Sequence, residues 1–492
     1  MGVISSFTLP PYNLFFLNFI TYPLFFLSLC IFSKSNKTSF LIGFIFGFGY
    51  FFFSTYWISN SLTFEETFKL LIPFSLILLP IFFGLFYGFA TLILFLLNLN
   101  KNLKSILLFS VTFSLMEYMR GTILTGFPWN LIVFSLSNSL SSIQILPYLG
   151  TYTLNLLTIT IFLLPVIITF NINPKSKVIS TFILFVILAL NINFGSIQIK
   201  KFKEKEPTNL NIKINIVSPR IDINRYYSDE KPLERLNEII KLSKSNKDDS
   251  GEIYIFPENI LLGIDLSSLL NYKLIFKENF SNNDLIIMGV NSENNGEIYN
   301  SLILFDNNLN IISKYDKNKL VPFGEFLPFE NFFSLIGLKK ITRGYRSFYP
   351  SSKREIINLD KFKFLPLICY EIIYSGNLNL EKKRYDFIVN ISEDGWFGDT
   401  IGPYQHFSHS IFRAIEEGKN ILRSSNNGIS GVVNPIGEIY KNKKTTDGSV
   451  IEVDALKFKE TTYFSKYGNK IFFYFLIIYI TLIFVLQRKD SK

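Results

Sequence analysis

"LPLICYEIIY", residues 365–374, runs an apolar, strand-like segment into a cysteine and a Tyr-Glu pair. The chain has 492 residues and two cysteines, so a thiol at this place needs a reason. A short apolar run bounded by polar residues reads as a buried strand. Polar side chains at the ends of such strands are where layered α/β domains place their chemistry.

The sequence around it supports that reading. "NIKINIVSP", "GEIYIFPE", "DLIIMGVNS", "IYNSLILFD", "KFLPLICYE" and "DFIVNISE" read as strands. "PLERLNEIIKLSKS" has apolar residues three and four apart and reads as a helix, as does "HFSHSIFRAIEEGKNIL". "SENNGE" and "DNNLN" carry the residue types of hairpin turns. Strands and helices in this order predict an α/β domain whose sheet faces are covered by helices.

Further out the composition changes. The chain is 48% hydrophobic and 17% aromatic, with 54 Phe, which is more apolar surface than a domain of this kind can bury. A bilayer-spanning helix takes roughly 20 mostly apolar residues. Seven segments qualify, at about 12–33, 40–58, 70–97, 105–119, 147–170, 178–195 and 471–487. The first lacks a basic start and a small-residue cleavage site, and is expected to stay as a span. Pro73 and Pro80 predict a kinked or tilted helix over 70–97 rather than two short ones. Gly43, Gly47 and Gly49 are read as helix-packing positions.

Lys34 and Lys37, Lys101 and Lys104, Lys175 and Lys177, and Arg488, Lys489 and Lys492 fall on one side of this bundle, and basic loops stay cytoplasmic. The α/β domain is therefore expected outside, although Lys200, Lys201, Lys203 and Lys205 run against the rule. The net charge of +10 suits anionic lipid headgroups, and no basic-aromatic module points to nucleic acid. With Cys30 in the first span and Cys369 in the outer domain, no intramolecular disulfide is expected.

Three polar residues end strands: Glu258 in "IYIFPENI", Lys317 or Lys319 in "KYDKNKLVPFGEF", and Cys369. A thiol attacking an acyl carbon needs a base for its proton and a cation to favour its anion. Glu supplies the first and Lys the second, and the ammonium also suits an oxyanion. Taken singly, the cysteine reads as a small core residue, the lysine as solvated and the glutamate as a helix start. His406 and His409, the only histidines, offer a rival Cys-His dyad, but no Cys or carboxylate near them has metal spacing, and they read as structural. Trp396 and Phe397 at a turn are either an acyl-chain or interface contact or core. Trp129, in an outer loop, is a candidate wall of a lipid route to the site.

With their flanks, these residues resemble the nitrilase superfamily and, more closely, its membrane-bound branch, the apolipoprotein N-acyltransferase family. The flanks are "MEYMRGTILTGFPWNL", "YDKNKLVPFGEFLPFE", "ICYE", "NISEDGWFGDTIGPYQHF" and "RAIEEGKNILRSSNNGISGVVNPIGE". The resemblance implies an αββα nitrilase-like domain on the extracytoplasmic side of a polytopic helical membrane bundle, with a Glu258, Lys317 and Cys369 triad. It selects Lys317 over Lys319, since the family's lysine lies eight residues before the Glu of "FGE". It implies supporting roles for Glu325, Tyr370 and Glu371. On a strand, Glu371 would share the face of Cys369 and Tyr370 would point away. The chain departs from the family pattern at Phe256 and Glu393, where Trp and Asn are usual, in "VSPRIDINRYY", where Tyr227 stands in for a Trp, and in a short N-terminus.

The expected organisation is a bundle over 1–198, a catalytic domain over 199–468 and a last helix with a cytoplasmic tail over 469–492. The implied reaction moves an acyl chain from a membrane phospholipid, through a Cys369 thioester, to the α-amine of a diacylated apolipoprotein. It needs no cofactor or metal. The implied protein is a monomer of the cell inner membrane, with Trp129, Tyr227, Trp396 and Phe397 as substrate contacts. The alternatives are a membrane-anchored amide hydrolase and, third, a transporter with an accessory domain, for which Glu117 is the one plausible intramembrane ionisable residue.

Overall fold

The structure, a computed structural model, describes residues 1–224, 232–243, 251–261, 263–330, 347–359, 361–379, 381–442 and 448–490. Tyr227 lies outside the described residues.

Among the described residues, six helices are long and apolar enough to cross a membrane: Phe15–Phe32, Asn36–Thr63, Ile72–Leu96, Leu146–Thr169, Pro174–Lys203 and Lys470–Arg488. The expected span at 105–119 is the exception. It forms a helix, Leu103–Thr122, but this carries Glu117 and Arg120, both buried. Inside a bundle these charges are tolerable because they are paired. Arg120 Nε donates to Glu117 Oε2 at 3.0 Å, and the Tyr87 hydroxyl donates to Glu117 Oε1 at 2.6 Å.

The segment at 72–96 is a single helix with Pro73 in its first turn and Pro80 inside it. It packs closely on the helix Asn36–Thr55 because Gly43 leaves room: a Cβ there would sit 2.1 Å from Thr91 Oγ1. Elsewhere large apolar side chains such as Phe182, Phe185, Ile187 and Phe484 face outward, which in water would be a liability and in lipid is not.

The α/β domain holds the strands β1 (Thr208–Ser218), β2 (Glu252–Ile255), β3 (Leu285–Asn294), β4 (Glu297–Asp306), β5 (Ile311–Asp316), β6 (Ile357–Leu359), β7 (Phe362–Ile368), β8 (Phe387–Glu393), β9 (Asn420–Asn426), β10 (Gly431–Val433), β11 (Ile439–Asn442) and β12 (Ser449–Leu456). They form two sheets, ordered β12-β1-β2-β3-β4-β5 and β11-β10-β9-β8-β7-β6. The period of two decides which residues face where. Ile214, Ile216, Ile253 and Ile255 enter the core shared with the second sheet, while Val217 and Tyr254 pack with Leu236, Ile239 and Phe276 of the covering helices. Those helices are Pro232–Ser243 and Lys273–Asn279, and Gly402–Glu417 covers the second sheet. The layers are αββα.

Asn295 and Gly296, both at positive φ, close the β3–β4 hairpin at "SENNGE". The sequence reading of the helix beginning near His406 ran on to Leu422. The helix stops at Glu417, because Gly418 turns to φ +66° and caps it, and Asn420–Asn426 becomes a strand parallel to β8.

Candidate active site

β2, β7 and β8 bring their carboxyl ends to one edge of the sandwich. Glu258 lies three residues past β2, and Lys317 directly follows β5. Cys369 directly follows β7 and opens a 3-10 turn, Cys369–Ile373. It holds φ +50°, a left-handed conformation that a non-glycine residue adopts only when its surroundings impose it. The same sharp strand-to-helix turn presents nucleophiles in other α/β enzymes. Because the strand has ended, the alternation expected for Tyr370 and Glu371 does not apply; all three side chains are buried in a tight turn.

Lys317 is 1% exposed, and its ammonium sits 2.9 Å from Glu325 Oε1 and 3.2 Å from Glu258 Oε1. Burial disfavours its charge, but the two carboxylates outweigh this and hold its pKa well above the ordinary lysine value. Lys319, two residues on, is exposed, so only Lys317 enters the site. Glu258 Oε2 accepts from the Glu393 amide at 3.0 Å, and Glu325 Oε2 from the Val321 amide at 2.8 Å. Burial pushes the Cys369 thiol well above its ordinary value, the Glu258 charge pushes the same way and Lys317 opposes both. Burial and Glu258 thus favour the neutral thiol over the thiolate. A thiol held neutral needs a base to react as thiolate, and the carboxylates beside the lysine are the candidates at hand.

Glu371 is a structural hub. It accepts from Tyr315 at 2.7 Å, from Arg354 at 2.7 Å, and from the amides of Asn318 at 3.0 Å and Ile368 at 2.9 Å. Despite complete burial, Arg354 and these donors hold its pKa below the usual carboxylate range. It thus clamps the Cys369 turn to the loop that carries Lys317. The Tyr370 hydroxyl donates to the Gly126 carbonyl at 2.8 Å, tying the same turn to a loop of the bundle.

The aromatic candidates lie at the seam between bundle and domain. Trp129 is 2% exposed and donates from its indole to Gln405 Oε1 at 2.9 Å, an oxygen it shares with Trp57. Phe397 packs on Trp57 with ring centres 4.7 Å apart, and Trp396 on Phe64 at 5.3 Å. Both are partly buried. His406 faces the Cys369 carbonyl at 3.3 Å and Asp394 at 2.9 Å. Sequence reasoning did not find Asn300, which donates to both site carboxylates, or Arg354 and Asp394. For Asn300 the one signal was a polar residue inside the strand-like "IYNSLILFD".

Residues 1–164 match the family described as apolipoprotein N-acyltransferase N-terminal domain, and residues 215–456 the family described as carbon-nitrogen hydrolase. An apolipoprotein N-acyltransferase of Rickettsia prowazekii is 32% identical over 92% of this chain and 92% of its own length. One from Rhodopseudomonas palustris is 31% identical over 89% of this chain and 85% of its own, and one from Agrobacterium fabrum is 31% identical over the same shares.

Proposed function

Since the chain belongs to the apolipoprotein N-acyltransferase family, we propose that Cys369 carries an acyl group from a membrane phospholipid to the α-amine of a diacylated apolipoprotein. The protein is a multi-pass membrane acyltransferase. The observation that carries the mechanism is the Lys317 ammonium wedged between Glu258 and Glu325 beside a buried thiol on a left-handed turn.

Glu258 takes the Cys369 proton as the sulfur attacks the phospholipid ester carbonyl. Lys317 faces the oxyanion, and its charge counts for most where water is excluded. Collapse of the tetrahedral intermediate breaks the ester C–O bond; Glu258 returns its proton to the leaving alkoxide, and lysophospholipid departs. The thioester keeps the acyl carbon activated while the second substrate enters. The apolipoprotein amine then attacks, Glu258 takes a proton from it, and the amide leaves as the thiol re-forms. Glu325 keeps Lys317 charged and in place throughout.

Both substrates live in lipid, which gives the bundle its purpose. The basic loops support an inner-membrane placement with the catalytic domain outside. Phe397, Trp396 and Trp129, with Tyr227, are the aromatic side chains assigned to the acyl route.

The test is mass spectrometry of purified protein incubated with phospholipid. An added acyl mass on the Cys369 peptide, discharged by diacylated peptide but not by water, is expected. An active preparation whose thiol stays unmodified would rule the thioester out, and rapid discharge by water would favour a hydrolase.

A further inference from the structure

One helix, Gly402–Glu417, grips the nucleophile turn at both ends. His406 Nε2 lies 3.3 Å from the Cys369 carbonyl, the first of the turn, and Arg413 Nη1 lies 3.2 Å from the Ile373 carbonyl, the last. The two side chains are seven residues apart, two helical turns, and so share one face.

Each is backed by a buried carboxylate. A carbonyl only accepts, so the contact to Cys369 is a hydrogen bond when the neutral His406 ring carries its hydrogen on Nε2, and Nδ1 then accepts from Arg423 Nη2 at 3.0 Å. Asp394 in turn pairs with Arg423 at 2.9 Å. Arg413 Nε sits 2.6 Å from Glu416 Oε2, as an ion pair rather than an aligned hydrogen bond.

Glu416 carries the grip into the membrane bundle. Its Oε1 accepts from the Thr151 amide at 2.6 Å, the Thr151 hydroxyl at 2.5 Å and the Ser375 hydroxyl at 2.8 Å. Thr151 follows Gly150, which breaks the bundle helix Leu146–Leu163 at φ +73°. Its amide is thereby left for Glu416 to cap.

We propose that His406 and Arg413 are positioning residues for acyl transfer, which hold Cys369 in its left-handed conformation by the two ends of its turn and, through Glu416, fix that turn to the membrane bundle. The inference rests on Cys369 being the nucleophile. The grip is needed because a left-handed cysteine relaxes toward negative φ when released, and that swings its sulfur away from Glu258 and Lys317. Fully buried charges cost desolvation and are kept where they specify a geometry, which fits their use here.

The test compares His406→Leu, which donates nothing, with His406→Gln, whose amide N–H reaches for the same carbonyl, and with Thr151→Val, which removes the hydroxyl bound to Glu416. Full-length protein is assayed in phospholipid vesicles, with activity expressed per folded enzyme. His406→Leu is expected to lower kcat about 10- to 100-fold, the cost of misplacing a reacting atom by about an ångström, with KM for phospholipid little changed. His406→Gln is expected to recover much of this, and Thr151→Val to lose several-fold in kcat. Alkylation of Cys369 by iodoacetamide should slow in the same order.

A purely structural role would lower thermal stability while leaving kcat per folded enzyme alone. That result, or a Gln variant no better than Leu, overturns the proposal. Should His406→Leu fail to fold, unchanged kcat in both other variants overturns it equally. If the wild type forms no acyl adduct, the thioester mechanism fails; if adducts form equally fast in wild type and variants, only the positioning role does.

Discussion

The side-chain amide of Asn300 donates to Glu258 Oε1 and to Glu325 Oε1, at 2.7 Å each, so the two carboxylates that flank Lys317 are also joined to one another. The Asn300 carbonyl oxygen of the main chain accepts from the Lys317 amide at 2.8 Å, which fixes the lysine backbone to the same residue. One strand position on β4 thus sets the spacing of Glu258, Lys317 and Glu325.

Asn300→Asp should therefore be more damaging than its size suggests. It replaces a shared donor with a third acid, so that one carboxylate takes up a proton and Glu258 ceases to be a dependable base. A kcat loss of about 100-fold is expected, on the scale of a misaligned catalytic group. Asn300→Leu should lose less, because the Lys317 charge still separates the two glutamates. Steady-state acyl transfer to a diacylated peptide ranks the two.

The Cys369 thiol should ionise in opposite directions in two variants. Glu258 disfavours the thiolate and Lys317 favours it. The rate of alkylation by iodoacetamide in the wild type should still be rising above the ordinary thiol value of about 8.5. Glu258→Gln should move that profile to lower pH and Lys317→Met to higher pH, even though both abolish acyl transfer. Shifts of the same sign in the two variants would refute the charge arrangement.

The strands that end near Glu258, Lys317 and Cys369, and the helices of the bundle, were legible because each rests on a local pattern. Glu258 and Cys369 close apolar runs, and Asn295-Gly296 announces its hairpin. Asn300, Arg354 and Asp394 were not, since the partners named for them lie 12 to 42 residues away and nothing in "IYNSL" marks one polar residue as a bridge. The strand alternation applied to Tyr370 and Glu371 failed because φ at Cys369 ends the strand one residue earlier than apolarity does. The helix of Glu117 and Arg120 was read as apolar because its charges cluster at one end, where the fold pairs them.

Stability should fall in two steps on acidification. His406 and His409 are fully buried, and burial lowers both below the ordinary histidine value. A group whose folded pKa is depressed contributes stability above its unfolded pKa and loses it as pH falls, because the unfolded chain then binds more protons. The first decline should thus begin near pH 6.5, the unfolded histidine value. Glu371 and Asp394, also depressed, should add a second below about pH 4.5, the unfolded carboxylate range. Melting temperature against pH checks both, and His409→Phe, which keeps a ring between Trp129 and Phe134, should shallow the first step alone.

Glu371 and Arg354 should be strongly coupled. Their ion pair, at 2.7 Å, is almost wholly buried, with Arg354 also donating to the Leu378 carbonyl at 2.7 Å. Removing one partner leaves a buried charge unmatched, which costs about 3–5 kcal/mol. Glu371→Gln and Arg354→Met should each destabilise the protein on that scale. The double variant should cost less than the sum, because neither charge is then stranded. Yet its acyl transfer should not recover, since a glutamine cannot serve Tyr315, Asn318 and Ile368 with two anionic oxygens, and the Lys317 loop comes away from the nucleophile turn. Denaturation of all four proteins in the same detergent gives the coupling energy, and acyl transfer by the folded fraction separates stability from alignment. Additive stabilities, or a double variant with full activity, would mean that Glu371 neither pairs with Arg354 in solution nor clamps the two loops.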